Sequence, residues 1–291
     1  MKLNWTAIAF VGPALAVIGV FFFVPVLAGL ALSFTDFDIY SLADLSNLRF
    51  IGLSNYLELL QTPLFWRALG NTLYFVGVGV PLSITASLGA ALLLNSKLAK
   101  FKPFFRVALF APVVTTLVAV AIVWRYLLHT RNGLLNYALA AIGLGPIDWL
   151  GDPHWAMPAV IFLAVWKNFG YNMIIFMAGL QSIPSELYEA AEVDGAGPVR
   201  RFWHVTLPML GPTFLFVGVT TMIGFFQLFA EPYVMTQGGP GESTYSLVML
   251  MYEQGFRWWR LGFASAVAMT IFALTLAATL MQVWLQRRAG A

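Results

Sequence analysis

Five long stretches of this chain contain no Asp, Glu, Lys or Arg residue. A helix needs about 20 apolar residues to cross the hydrocarbon core of a bilayer, whereas the strands of a membrane barrel are shorter and alternate in polarity. The charge-free stretches are long and do not alternate; they cover residues 3–35, 68–96, 107–124, 202–230 and 261–286. They predict an all-α integral membrane protein.

The overall composition supports this class, because 10% of the residues are charged against roughly 25% in soluble domains. Residues 155–183 add a sixth apolar stretch whose only charge is Lys167. The first stretch is longer than the apolar core of about 7 to 15 residues in a signal peptide, which favours a retained anchor helix. We therefore expect one polytopic domain over residues 1–291 with six spans, at approximately 7–34, 70–95, 106–128, 156–183, 207–233 and 262–286.

The positions of the basic residues predict which side each end of the chain occupies, because short cytoplasmic loops collect Lys and Arg. If the N-terminus is inside, nine basic residues fall in short cytoplasmic segments and six in longer outer segments. The nine are Lys2, Lys97, Lys100, Lys102, Arg106, Arg200, Arg201, Arg287 and Arg288, and the six are Arg49, Arg67, Arg125, Arg131, Arg257 and Arg260. Both termini are therefore expected to be cytoplasmic.

One cytoplasmic segment, residues 184–206 between the fourth and fifth spans, is rich in charge. Ser185 can cap a helix that begins at Glu186, and Gly195 can end that helix with a turn that costs glycine little. Pro198 suits the first position of a second helix. An apolar face of that second helix is expected from Val199, Phe202 and Trp203. Because helices this short are marginal in water, the segment is either a solvated loop resting on the spans or an element that docks on another protein.

The order of residues in this segment closely resembles the cytoplasmic loop that marks ABC importer permeases. The matching elements are Glu189-Ala190-Ala191, Asp194-Gly195-Ala196 and Thr206-Leu207-Pro208. Further stretches are similar to carbohydrate-uptake permeases of the maltose type, namely residues 50–56, 65–72, 111–112 and 236–240. The resemblance covers essentially residues 5–288.

The resemblance implies that this loop is a coupling helix, which sits in a cleft of a cytoplasmic ATPase subunit. The residues to which it assigns this role are Glu189, Ala190, Ala191, Asp194 and Gly195. It also implies a second, different permease subunit, two ATPase subunits, an extracytoplasmic solute-binding protein and the lipid of a prokaryotic cell membrane. ATP and Mg would be bound by the ATPase subunits, with no cofactor in this chain and no nucleic acid partner.

The sequence contains no motif for catalysis of its own. Neither a Gly-x4-Gly-Lys-Ser/Thr phosphate cradle nor a Gly-x-Ser-x-Gly elbow occurs in it. Cysteine is absent, and the three histidines, His129, His154 and His204, are scattered, so a metal site is not expected. The chain is therefore expected to be a translocation subunit and not an enzyme.

Lys167 lies near the middle of the fourth span, where a charge is costly and usually faces a cavity or a partner group. Asn168 and Tyr171 lie beside it on a stripe that is both polar and aromatic. Sugars combine hydroxyls, which need hydrogen bonds, with C–H faces that pack on aromatic rings, so this stripe could line a sugar pathway. The same amide and hydroxyl groups could instead hold helices together by hydrogen bonds.

A second candidate patch lies on the fifth span at Phe226, Gln227 and Glu231, of which the last two are spaced i, i+4. In maltose-type permeases the substrate contacts lie on these two helices, at positions that resemble Lys167, Asn168, Tyr171, Phe226 and Gln227 here. The lysine departs from the family pattern, in which an apolar residue is expected. It could meet an anionic group of a ligand, or it could pair with Glu231.

The leading hypothesis is a permease subunit of an ATP-driven, binding-protein-dependent importer of an oligosaccharide or glycoside. An importer of the glycerol-3-phosphate type is the alternative within the family, because Asp194–Phe202 also resembles relatives of that kind and Lys167 could meet a phosphate. An ion-coupled secondary transporter using Lys167 and Glu231 is a further hypothesis, although no inverted repeat is visible. A membrane scaffold without transport activity would need only packing and anchors.

Overall fold

The computed structural model of the protein describes residues 5–96 and 100–288, and all regular structure in these residues is helical. One isolated antiparallel bridge joins Thr35 and Phe50. The prediction of an all-α membrane fold is confirmed. Lys2 and Lys97, which entered the charge count, lie outside the described residues.

The helices follow one another from end to end of the chain. In order they are α1 (Trp5–Ile18), α2 (Val24–Leu32), α3 (Ile39–Ala43), α4 (Ser54–Gln61), α5 (Pro63–Asn95), α6 (Lys102–Val114), α7 (Leu117–Leu127), α8 (Leu134–Ala141), α9 (Pro153–Gln181), α10 (Ser185–Val193), α11 (Pro198–Arg201), α12 (Leu207–Met209), α13 (Gly211–Phe226), α14 (Ala230–Met235), α15 (Leu247–Tyr252) and α16 (Leu261–Arg288). Short π-helical turns at Gly19–Phe23, Phe202–Thr206 and Glu253–Arg257 join or extend them, and Leu45–Asn47 forms a 3₁₀ turn.

Four helices among the described residues are long and apolar enough to cross a membrane: Phe10–Leu32, Pro63–Asn95, Pro153–Gln181 and Leu261–Arg288. Two further pairs are apolar enough together but are bent, by 100° between α6 and α7 and by 66° between Pro198–Met209 and α13. The number of candidate spans in the part of the chain described is therefore four, or up to six if each bent pair is one span. The count of six stays a prediction.

The break between α6 and α7 has a local cause. Pro112 lies inside α6, and Thr115 and Thr116 both take extended backbone conformations after it. The Thr115 hydroxyl donates to the carbonyl oxygen of Pro112, with an Oγ1–O distance of 2.6 Å. Proline removes a donor and disturbs the preceding turn, and a threonine that bonds back to the chain stabilises the end of the helix.

The chain divides into two compact units, each of which is built from separate stretches of sequence. The first comprises Met1–Trp66 and Leu247–Ala273. Inside it, the Asn55 amide donates to the carbonyls of Ser33 and Thr35 at 2.9 and 2.8 Å, and the Arg260 guanidinium pairs with the Glu58 carboxylate at 2.6 Å. These bonds fix the connection between the first apolar helix and α4.

The second unit comprises Arg67–Ser246 and Leu274–Ala291 and contains the candidate site. Helix α9 lies at its centre: 56% of the most apolar window of α9 is buried, against 0% for the Phe10–Leu32 helix of the first unit. One core cluster packs α9 against α5, α7 and α13 through Phe75, Val160 and Phe225, and a second packs it through Phe176 and Val217. Because α9 is surrounded in this way, its polar residues must face cavities or polar partners.

Candidate functional site

Helix α9 positions the polar stripe predicted from the sequence. Its start is fixed by Asp152, whose carboxylate accepts a hydrogen bond from the backbone N–H of His154 at 2.8 Å, followed by Pro153 at the first helical position. That hydrogen bond, with the bond to the His154 side chain, lowers the pKa of Asp152. The cap and the proline set the helical register on which the side chains further along α9 depend.

A cavity of about 260 Å³ lies beside α9 in the second unit. It is lined by Phe75, Val113, Leu117, Ala164, Lys167, Asn168, Tyr171, Gly224, Phe225, Leu228 and Glu231. The structure thus brings together four of the six residues predicted for a substrate pathway. Aromatic and aliphatic side chains form most of the wall, with a few polar groups between them, which is the usual make-up of a small-molecule site.

Lys167 is held by the break between α6 and α7. Its ammonium group donates to the carbonyl oxygens of Pro112 at 3.0 Å, Val113 at 3.4 Å and Thr115 at 2.8 Å. A lysine ammonium has three N–H groups, so these carbonyls can accept all of them. The positive charge also lies at the C-terminal end of α6, where the helix dipole favours a cation.

Glu231 and Tyr171 face the same cavity but are not tied to Lys167. Among the described residues, no salt bridge within 4.0 Å joins Lys167 and Glu231, so the pairing that the sequence suggested is not formed. Neither the Glu231 carboxylate nor the Tyr171 hydroxyl bonds to another residue in the part of the chain described. A carboxylate acceptor and a phenolic hydroxyl are therefore available to the cavity.

Asn168 has a double role, because its side chain joins a hydrogen-bond network between helices. The Asn172 amide donates to the Asn168 carbonyl oxygen at 2.9 Å and to the Thr221 hydroxyl on α13 at 2.8 Å. The Ser83 hydroxyl on α5 lies 3.5 Å from the same Asn168 oxygen. The oxygen of Asn168 thus serves helix association, as the alternative interpretation expected, while its residue also lines the cavity.

Phe226 and Gln227 do not line the cavity. Phe226 is 2% exposed and belongs to the hydrophobic core, and Gln227 is an exposed residue just beyond the end of α13. Their places are taken by Phe225 and Leu228, which sequence reasoning missed. The spacing argument assumed one continuous helix through Glu231, but α13 ends at Phe226 and α14 begins at Ala230, so the helical phase is lost between them.

The segment predicted to couple to an ATPase forms two helices and a turn. Helix α10 begins at Ser185, one residue earlier than expected, and Pro184 precedes it without a side-chain cap. Gly195 has φ +72; its N–H donates to the carbonyl of Glu192 at 3.0 Å, and the N–H of Ala196 donates to that of Ala191 at 2.8 Å. This pair of bonds is a Schellman motif, which ends a helix at a left-handed residue.

The outer face of this segment is open to solvent or to a partner. Glu189, Ala190, Asp194 and Gly195 are exposed and Ala191 is half-buried. Of the apolar face expected from Val199, Phe202 and Trp203, Val199 is 71% and Trp203 58% exposed, whereas Phe202 is half-buried. Val193, at the end of α10, is 87% exposed. Within the segment, the Tyr188 and Thr206 hydroxyls, 3.0 Å apart, and a 3.4 Å Arg201–Glu192 ion pair hold α10 against the second half of the segment.

Replacing Gly195 by alanine should destabilise this turn, because a left-handed backbone conformation costs a residue with a Cβ about 1 kcal/mol or more. A Cβ at Gly195 would meet no atom within 4 Å, so the effect is conformational and not steric. We expect faster proteolytic cleavage between α10 and α11, with unchanged melting of the whole protein. Gly197→Ala is the control, since Gly197 has φ −67 and an equally open Cβ position; equal cleavage of both variants would contradict the expectation.

The residues of the cavity and of the α10–α11 segment are suited to binding a ligand or another protein. No group of three or more His, Cys, Asp or Glu residues that could hold a metal ion occurs in residues 5–96 and 100–288. The cavity offers hydrogen-bonding and aromatic surfaces, and the α10–α11 segment offers an exposed apolar face flanked by acids.

Comparison with known proteins gives a consistent assignment. Residues 79–290 match the family model for the inner membrane component of binding-protein-dependent transport systems. The chain is 38% identical over 283 residues to the lactose transport system permease protein of Rhizobium radiobacter, covering 96% of this chain and 93% of that protein. It is 37% identical over 276 residues to a probable ABC transporter permease protein of Bacillus subtilis, covering 94% and 93%.

Two further similarities extend this result to an archaeal relative and to a solved structure. The trehalose/maltose transport system permease protein of Thermococcus litoralis is 35% identical over 231 residues, covering 79% of this chain and 78% of that protein. A crystal structure of a bacterial ABC transporter that imports the acidic polysaccharide alginate matches with a TM-score of 0.81 at 25% identity, covering 98% of this chain and 96% of that one. The chain therefore belongs to the family of inner membrane components of binding-protein-dependent transport systems, as its sequence motifs implied.

Proposed function

We propose that this chain is the permease subunit of an ATP-driven importer that moves a neutral carbohydrate, an oligosaccharide or glycoside, through the cavity beside α9. The observation that carries the proposal is the lining of this cavity. Tyr171 and Glu231 offer a hydroxyl and a carboxylate that form no hydrogen bond or salt bridge to another described residue, next to the rings of Phe75 and Phe225. Hydroxyl groups of a sugar can donate to the carboxylate while the C–H faces pack on the rings.

A neutral ligand is favoured over a phosphate-bearing one by the contacts of Lys167. Its three N–H groups are directed to three backbone carbonyl oxygens, so no donor of this ammonium is left for a phosphate. These contacts weigh against a role of Lys167 in the glycerol-3-phosphate alternative and in the Lys167–Glu231 ion relay. The resemblance of Asp194–Phe202 to importers of the glycerol-3-phosphate type is independent of Lys167.

The cavity is too small to be a stationary sugar site. At about 260 Å³ it lies below the roughly 300 to 1,000 Å³ of ordinary ligand pockets. Passage of an oligosaccharide therefore requires α9 and its neighbours to separate, and the bent pairs α6–α7 and α12–α13 are the elements whose angle can change. This requirement fits a transporter that alternates between closed and open states.

The energy for that movement would enter through the α10–α11 segment. In our proposal its exposed face, with Glu189, Ala190, Ala191, Asp194 and Gly195, docks in a cleft of a cytoplasmic ATPase subunit that binds ATP and Mg. The assembly would contain two such ATPase subunits, a second permease subunit and an extracytoplasmic solute-binding protein, in a prokaryotic cell membrane with both termini of this chain cytoplasmic. Closure of the ATPases on ATP would move the segment and open the pathway outward.

The test is sugar-stimulated ATP hydrolysis by the complete assembly reconstituted in vesicles, with a panel of sugars presented on the binding protein. We expect one neutral sugar to stimulate hydrolysis and Glu189→Ala to reduce that stimulation by about tenfold, equivalent to roughly 1.4 kcal/mol at the interface. Glu186→Ala, on the same helix and equally exposed, is the matched control and should retain stimulation. Stimulation by phosphorylated ligands alone would overturn the neutral-sugar proposal, and equal loss in both variants would overturn the role of Glu189.

A further inference from the structure

An apolar groove of about 760 Å³ lies between the end of α5 and the start of α6. Its wall is formed by small and aliphatic residues, among them Ala86, Gly89, Leu93 and Leu109. A Cβ built on Gly89 meets no atom within 4 Å, so the floor of the groove is open. The one hydroxyl in the wall, on Ser96, donates to the carbonyl of Leu93 at 2.8 Å and offers the groove no free donor.

Cations cluster at one end of this groove. Lys100 lines it directly, and Lys102 and Arg106 lie one turn apart on α6, on a stripe adjacent to the groove residues Phe105 and Leu109. None of these three cations forms an ion pair within the described residues, although salt bridges occur elsewhere in them. The Nε atom of Arg106 is buried without a hydrogen-bond partner.

We propose that this groove is a binding site for an anionic phospholipid, with one acyl chain between α5 and α6 and the phosphate at Lys100 and Arg106. The groove supplies an apolar surface, and Lys100 and Arg106 supply positive charge that no acidic residue among the described residues neutralises. Basic pockets at the ends of membrane helices select anionic headgroups in this way. A free phosphate would use the cations but gain nothing from the apolar wall, and a zwitterionic lipid would bring a cation of its own toward Lys100.

The lipid site is tested by native mass spectrometry of the protein in the complex in which it is purified, after exchange into nanodiscs of phosphatidylglycerol and phosphatidylcholine mixed equally. The wild type should retain phosphatidylglycerol in preference to phosphatidylcholine. Replacing both cations, Lys100→Gln with Arg106→Gln, should lower that preference about tenfold or more, since each cation contributes to the attraction. The matched control is Arg287→Gln with Arg288→Gln at the end of α16, which should leave the preference unchanged.

Two further measurements separate a lipid from other occupants. Gly89→Leu places a branched side chain on the open floor of the groove and leaves the cations in place, so it should weaken retention of the acyl chain. Unchanged retention of phosphatidylglycerol by this variant would mean that only a headgroup site exists and would overturn the proposal. The Leu93 side chain is 73% exposed, and the chain contains no native cysteine. Leu93→Cys therefore introduces a single accessible thiol in the groove. Its efficient crosslinking to a second permease subunit would show that protein covers the groove, and this too would overturn the proposal.

Discussion

Gly170→Ala should prevent α6 and α9 from packing and should abolish transport. A Cβ at Gly170 would lie 2.2 Å from the carbonyl oxygen of Leu109 and 3.1 Å from the Cα of Phe110. Both are backbone atoms of α6, so no side chain can rotate away and the helices themselves must separate. Overpacking of a core costs about 1 to 3 kcal/mol, and we expect this variant to lie at or above the upper end of that range.

The consequence for function follows from the position of Gly170 on α9. Lys167 lies three residues earlier on the same helix and bonds to the carbonyls at the end of α6, so separation of α6 from α9 breaks these bonds as well. The measurement is the melting temperature of the purified protein together with uptake in vesicles; both should fall. Gly77→Ala is the control, because a Cβ on Gly77 of α5 meets no atom within 4 Å, and alanine should be tolerated there. Normal melting of Gly170→Ala would mean that the two helices do not cross as described.

The sequence predicted the helices better than their breaks. Hydropathy located the apolar stretches because burial in lipid requires only that charge be absent over about 20 residues. It could not show that residues 107–124 bend by 100° between Val114 and Leu117. The bend depends on Pro112 and on two threonines whose backbone is extended, and threonine hydroxyls satisfy the chain equally well inside a straight helix.

The candidate site residues share a face where one helix stays regular. Lys167, Asn168 and Tyr171 lie on the unbroken α9, so their spacing translated directly into a shared face. Gln227 lies in the break of three residues, 227–229, that follows α13, and the cavity is lined by Phe225 and Leu228 instead of Phe226 and Gln227. Spacing in the sequence predicts a common face only as far as the helix that carries it is continuous.

The partner of Lys167 could not be identified from the sequence. The sequence left two possibilities open, an anionic group of a ligand and the Glu231 carboxylate. In the structure its ammonium group bonds to backbone carbonyls at the end of α6, and hydropathy did not reveal that a helix ends there. The last carbonyls of a helix have no partner inside the helix, and a cation can supply the missing donor.

Lys167→Met is therefore expected to destabilise the protein and not to change the charge preference of the pathway. Removing the ammonium leaves the carbonyls of Val113 and Thr115 without the donor they now have at 3.4 and 2.8 Å. An unsatisfied buried carbonyl costs about 1 to 3 kcal/mol. Because the Val113 bond is partly buried and the Thr115 bond is exposed, a total loss of about 1 to 3 kcal/mol is expected. Methionine preserves the length and apolar stem of lysine, so the lost hydrogen bonds are the main difference.

The measurement is the melting temperature of Lys167→Met beside that of Lys102→Met, which removes a half-buried cation from the start of α6; the Lys102 side chain forms no hydrogen bond or ion pair with another described residue. We expect a large decrease for the first and little change for the second. Lys167→Arg should restore part of the stability, because the guanidinium keeps the donors but holds them in a planar fork that fits three carbonyls less well. If Lys167 instead binds an anionic ligand, Lys167→Met would melt normally and lose stimulation by that ligand. The melting temperature measured without ligand thus distinguishes a Lys167 that stabilises the α6–α7 break from a Lys167 that binds an anionic ligand.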